Sequence, residues 1–216
     1  MVITFYGEGC FKLQSGDFVI LTDLFDNKIG LTPPRLKPDI ILKTLTALPF
    51  SQDLSPNASA SDKQYLIYGP GEYNIQNANI AGFPLSNESS EKFLKTAYFL
   101  EVEGINLCFL GHLSETPEPS LLEYLEETEV LFIPAGGPPF IEQKMAAKII
   151  KQIQPKIVIP CFFKIPGLKR KADDVRVFLE EFNGSKKERT APQEKLTIKK
   201  KDLSDIKKTE IVVLKP

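Results

Sequence analysis

Val130-Leu131-Phe132-Ile133 is apolar at every position, and so is much of Lys156-Ile157-Val158-Ile159-Pro160. Short runs of this kind suit strands buried on both faces, which are typical of parallel sheets. Between them, Gly136-Gly137-Pro138-Pro139 punctuates the chain, and Ile141, Met145, Ile149 and Ile153 then recur every four residues. That spacing predicts a helix opened by the prolines and ended at Pro155. Strand, helix and strand in this order make a parallel crossover unit, and a parallel pair needs such a connection. Two further helical stripes flank it. Leu121, Leu122 and Leu125 lie in 119–127, and Val175, Phe178, Leu179 and Phe182 are followed by Asn183-Gly184, a helix stop.

The earlier half is rich in strand signals. Runs at 3–6, 10–13 and 18–22 are β-prone, and Ser15-Gly16-Asp17 supplies a hairpin turn. Residues 39–43 form a compact buried strand, 54–63 read as loop, and 65–68 form a strand stopped by Gly69-Pro70-Gly71. Runs at 96–102 and 105–110 flank Glu103-Gly104, which suits a tight two-residue turn. Two strands, 195–199 and 210–214, close the tail. Strands first and βαβ alternation later imply sheets covered by helices in layers, and no boundary divides residues 1–216 into separate domains.

Composition narrows the chemistry. The 216 residues are 42% hydrophobic and 25% charged, an ordinary globular balance, with a formal charge of −1. That balance argues against a general nucleic-acid footprint. The charge is uneven: from Lys164 onward 15 basic residues face 9 acidic ones (+6), against 12 and 19 (−7) before it. Cys10, Cys108 and Cys161 are widely spaced, so neither a disulfide framework nor a zinc knuckle is expected. The opening Met1–Tyr6 reads as strand, not signal peptide, and no apolar run approaches the ~18–20 residues of a membrane span. A reduced, cytoplasmic, soluble protein is the expectation. There is one histidine, His112, and no tryptophan, so any mechanism needing two imidazoles is excluded.

The order of motifs resembles the small metallo-β-lactamase-fold proteins. The similar branch is the short Zn-dependent hydrolases related to ascorbate-6-phosphate lactonases. The likeness runs through Gly7-Glu8-Gly9-Cys10-Phe11, Thr22-Asp23, Pro38-Asp39-Ile40-Ile41-Leu42 and Gly69-Pro70-Gly71-Glu72-Tyr73. It continues through Cys108-Phe109-Leu110-Gly111, Ile133-Pro134-Ala135-Gly136-Gly137, 155–160 and Leu196–Leu203. It implies an α/β fold, the four-layer αββα sandwich.

The resemblance also implies where metal ligands should stand. The family's His-x-His-x-Asp-His loop aligns with Leu45-Thr46-Ala47-Leu48-Pro49-Phe50, placing Leu45, Ala47, Pro49 and Phe50 at ligand positions. None of these side chains offers a cation a lone pair. Asn87 stands where the next histidine is expected, His112 where the bridging aspartate is, and Phe162 where the last histidine is. Glu8 replaces a further histidine. A catalytic zinc needs about three protein ligands and an open position, so no metal cofactor is expected. Apolar replacements at these positions imply a filled former site, since buried histidines and carboxylates without a cation destabilise a fold.

Two functional readings follow. The first is a pseudoenzyme serving as a binding or scaffold protein, through self-association or a protein partner. The second is a hydrolase with a site rebuilt around His112, drawing on Asp23, Glu8, Glu115 or Cys161. Against it stands a plain hydrogen-bonded histidine at a strand end. Cys10 and Cys161 as nucleophiles compete with simple core packing beside Phe11 and Phe162. Gly136-Gly137-Pro138-Pro139 as a phosphate cradle competes with a turn, which its two missing N–H groups favour. Nucleic-acid binding through Lys169-Arg170-Lys171 and Lys199-Lys200-Lys201 is the weakest reading, because acidic residues follow both triplets.

Overall fold

The structure is a computed structural model that describes residues 1–49, 64–183 and 191–216. Phe50, the loop at 54–63 and Gly184 lie outside the described residues.

β1 (Val2–Gly7), β2 (Cys10–Ser15) and β3 (Phe18–Thr22) form an antiparallel meander. Half-buried and buried residues alternate along β1, as a strand with one face on the core requires. β4 (Ile40–Leu42) is buried throughout and runs parallel to β3, followed by β6 (Tyr65–Ile67) parallel to β4. β13 (Lys195–Thr197) pairs antiparallel with β1, so the six-stranded sheet has the order β13-β1-β2-β3-β4-β6.

The second sheet begins as a meander of β7 (Gly71–Ile75), β8 (Ala78–Pro84), β9 (Phe93–Val102) and β10 (Ile105–Phe109). β11 (Val130–Pro134), β12 (Ile157–Cys161) and β14 (Glu210–Ile211) extend it in parallel. Its order is β14-β12-β11-β10-β9-β8-β7, and β5 (Leu45–Ala47) pairs with β9 off this path. The parallel crossovers carry α1 (Pro119–Leu125) and α2 (Gln143–Ile153). α2 packs on β11, α3 (Val175–Asn183) packs on α2, and α4 (Lys200–Asp205) precedes β14. This is the layered α/β sandwich that the strand and helix pattern implies.

Aromatic rings join the two sheets. Phe11 of β2 stands 4.8 Å from Phe5 of β1 and 4.8 Å from Phe132 of β11, and Phe132 stacks on Phe109 of β10 at 3.9 Å. Such pairs contribute about 0.5–1.5 kcal/mol each beyond their burial.

Three local readings are corrected. Gly136-Gly137-Pro138-Pro139 does not open the helix, which starts at Gln143, because a turn with Gly137 at φ +68° comes first. Ile141 is buried in that turn, its N–H donating to Leu113 O at 2.9 Å. The segment at 45–47 is strand, not loop, and α4 and the β7–β8 hairpin carry no strong sequence signal. The Glu103-Gly104 turn is as read: both residues have positive φ (54° and 68°), the two-residue turn that matches strand twist. Among the described residues, no helix is long and apolar enough to cross a membrane.

Candidate functional site

Five strands deliver their following residues to one place. Glu8 and Gly9 follow β1, Asp23 follows β3, Thr44 follows β4, His112 follows β10 and Phe162 follows β12. Carboxyl ends of parallel strands are the usual site of chemistry in layered α/β proteins. The backbone marks the spot as well. Six non-glycine residues among those described have positive φ. Gln76 and Glu103 sit between hairpin strands and Gln154 caps α2. The other three, Glu8 (53°), Asp23 (38°) and Phe162 (57°), are all in this cluster. Strained conformations of this kind persist where the surrounding structure over-determines them.

Asp23 is held through Thr44. The Thr44 N–H donates to Asp23 Oδ1 at 2.7 Å and its hydroxyl donates to Oδ2 at 2.6 Å. Thr44 Oγ1 also lies 2.7 Å from His112 Nδ1. Because its one hydroxyl proton goes to Asp23, Thr44 accepts from Nδ1–H, which fixes the tautomer and leaves Nε2 with the free lone pair. Asp23 itself is 3.9 Å from Nδ1, so it orients the ring through the hydroxyl. Gly111 makes this approach possible, since a Cβ there would come 2.3 Å from Thr44 Cβ.

Burial pushes the His112 pKa below its ordinary 6.5; nearby Asp23 opposes this, while Lys95 and Arg170 add to it. Burial raises the Asp23 carboxyl and outweighs the stabilising effects of His112, Thr44 and Lys43. The imidazole is therefore a neutral, oriented acceptor.

Phe162 closes the site. Its ring meets His112 edge-on at 4.9 Å and lies 4.3 Å from Phe140. A Cβ on Gly9 would come 2.6 Å from Phe162 Cζ and 2.7 Å from Asp23 Oδ2, so the ring sits in a cradle that glycine leaves open. Phe162 is 2% exposed. Arg170 lies over this pair. Its guanidinium is 4.9 Å from the Phe140 centroid and donates to both Glu8 oxygens (3.0 and 3.1 Å) and to Phe162 O (2.6 Å).

The candidates from sequence divide accordingly. Glu8, Asp23 and His112 belong to this cluster, and so does Cys161 by its electrostatic coupling to Asp23 and Glu8. Cys161 is 2% exposed, and burial pushes its thiol well above the ordinary value; Cys10 is raised for the same main reason. Both are core thiols without thiolate character. Glu115 is corrected: it is exposed, receives no bond from His112, and its N–H donates to Glu88 Oε1 at 3.0 Å. Asn87 is exposed in the turn Ser86–Glu88 and lines a separate shallow hollow with Glu115, Glu88 and Glu118. Leu45, Ala47 and Pro49 are corrected as fillers, for all three are exposed. In β5 the alternation buries Thr46 and turns its two neighbours outward. Phe50 lies outside the described residues. Arg170, named from sequence only as part of a basic triplet, is clamped on Glu8. Sequence reasoning missed Thr44 and Phe140, and no local pattern distinguishes either.

The donors do not fit a catalytic zinc. Both oxygens of Asp23 accept from Thr44, both oxygens of Glu8 accept from Arg170, and Nδ1 of His112 is bound to Thr44. The chain offers one imidazole where a catalytic zinc takes about three protein ligands, and its two carboxylates here are held by Thr44 and Arg170. Among the described residues, no group of three or more His, Cys, Asp or Glu side chains is placed to hold a metal ion.

Fold and site together define a layered sandwich of the beta-lactamase type, with Glu8, Asp23, His112 and Phe162 gathered at its strand ends. The family model for the beta-lactamase superfamily domain matches residues 2–162, and the chain belongs to that family. A Thermotoga maritima structure assigned to the Zn-dependent hydrolases of the metallo-β-lactamase superfamily is 26% identical. It matches over 99% of this chain and 97% of its own, with a TM-score of 0.74. A Parabacteroides distasonis structure assigned as a metal-dependent hydrolase is 16% identical (99% and 93% covered, TM-score 0.59). The metallo-β-lactamase fold protein YhfI from Bacillus subtilis is 11% identical (83% and 91% covered, TM-score 0.58). The last two share the fold. No curated protein matches the chain.

Proposed function

We propose that this chain is a non-catalytic, single-domain member of its family, a pseudoenzyme that works as a binding or scaffold protein without a metal cofactor. The observation that carries this reading is the Phe162 ring, cradled by Gly9 and packed on His112 where the resemblance implies a histidine ligand. A reducing, cytoplasmic setting accords with three buried, unpaired cysteines.

The test is a hydrolysis panel of generic phosphodiester, lactone and β-lactam substrates, with and without added Zn²⁺ or Mn²⁺. In this fold such reactions rest on a metal-bound hydroxide, whose pKa the cation brings to about 7. Wild type and His112→Ala should both run at the buffer rate. Turnover present in wild type and lost in His112→Ala overturns the reading. The competing reading is a hydrolase rebuilt around His112. Its support is the Asp23–Thr44–His112 relay, which leaves Nε2 free as a general base. General-base help contributes roughly 10²–10⁴-fold, far short of what these hydrolyses need alone.

A further inference from the structure

We infer that the outer face of β7, β8 and β9 is a docking surface for the lysine-rich end of a second copy of this chain, bound head to tail. The inference rests on the binding-protein reading and names the partner. Over β10 to β12 the sheet is covered, with α2 on β11 and α3 on α2. Over β8 and β9 the α1 residue Tyr124 reaches in, its ring 4.4 Å from Phe83 and 5.8 Å from Phe99. Beside it lies an open cleft of about 510 Å³, lined by Glu72, Tyr73, Asn79, Phe99, Glu101 and Tyr124 among others. Strand register explains the lining: Glu72, Ala81 and Phe99 form one cross-strand row, and Asn74, Asn79 and Glu101 form the next. Asn74 Nδ2 donates to Asn79 Oδ1 at 2.5 Å, and Asn79 Nδ2 donates to Glu101 Oε2 at 3.0 Å. The second row is thus a fixed polar ladder ending in a carboxylate.

The cleft's chemistry selects a cation on an apolar stem. Among the described residues its lining has two carboxylates, three aromatic rings and no lysine or arginine. Aromatic faces attract ammonium groups and accept the methylenes that carry them. A neutral ligand would leave Glu72 and Glu101 uncompensated. The matching surface is on this chain, at the far edge of the same sheet. There α4 and β14 bring exposed Lys199, Lys201, Lys207 and Lys208, which have no ion pair among the described residues. Because the two surfaces differ, the contact is heterologous and propagates from copy to copy.

Sedimentation velocity tests it, over about 10–200 μM protein at low and at high salt. The wild type should form concentration-dependent oligomers that weaken about tenfold or more in high salt, as screened surface charge requires. Two variants alter exposed residues alone: Glu72→Gln with Glu101→Gln, and Lys201→Gln with Lys207→Gln and Lys208→Gln. Each should keep the wild-type melting curve and be monomeric. Mixed one to one, they should form a dimer that grows no further, since one competent cleft and one competent lysine end remain. A wild type that stays monomeric throughout, or assembly that both variants retain, overturns the inference. A monomeric wild type that takes up a free oligolysine peptide at the cleft also overturns it, and gives the surface to another basic protein. The hydrolysis panel on the same samples separates the two claims. An inert monomer refutes this contact alone, whereas turnover that depends on His112 refutes the non-catalytic reading whatever the assembly.

Discussion

His112 supplies the only imidazole in the chain, so its behaviour can be read without overlap. Burial lowers its pKa from 6.5, against Asp23 and with Lys95 and Arg170. As pH falls below 6.5 the unfolded chain takes up the proton first, so stability declines toward acid until the folded site also protonates. Asp23 has the opposite sign: its raised pKa favours the fold at low pH, and that contribution is lost as pH rises through the folded value. Urea denaturation between pH 7 and roughly pH 5 should therefore show a loss of stability that shrinks in His112→Gln. In NMR, the single imidazole should appear as the Nδ1–H tautomer and stay neutral past 6.5. At the neighbouring plug, Phe162→Ala should cost about 3–5 kcal/mol, the range for deleting a buried aromatic ring. Leu45→His should change stability by no more than about 0.5 kcal/mol, because Leu45 is 38% exposed on β5. Denaturant midpoints for the two variants check both figures.

The β9–β10 hairpin gives the cleanest case at the scale of an element. Gly104 has φ +68° and open space where a Cβ would go. Gly104→Ala should thus cost about 1–2 kcal/mol from backbone conformation alone, with Gly104→Asn recovering part of it. Thermal melting of the two variants tests that order. The hairpin was legible because two strands and their turn are local. So were β11, α2 and β12, where apolar runs and a four-residue stripe separate buried strand from half-buried helix. The start of α2 was not, because a proline pair reads equally as a helix opening and as a turn. β7 and β8 were hidden by the polar residues of their open face, Glu72, Asn74 and Asn79. In the site, the missing ligands were legible because residue identity alone decides whether a lone pair exists. The Thr44–His112 bond and the Arg170–Glu8 clamp were not, since one spans 68 residues and the other 162. Exposure of Leu45, Ala47 and Pro49 was equally hidden, because it depends on which face β5 turns toward β9.

Across the whole molecule the two halves of the sheet system are assembled in different ways. The eight-stranded sheet runs through strands consecutive in sequence from β7 to β12 and adds β14 at its edge, whereas the six-stranded sheet is closed by a far more distant pairing, Val2 with Thr197. That pairing sets a condition on synthesis. A ribosome adds about 5–20 residues per second, so the free edge of β1 waits on the order of 10–40 s for β13 to emerge. Throughout that interval the nascent chain displays a bare strand edge, the feature that most readily templates wrong pairing between chains. Chains halted before residue 195 would keep the edge open for good, and chaperones or proteases could recognise them as unfinished by that exposed backbone alone.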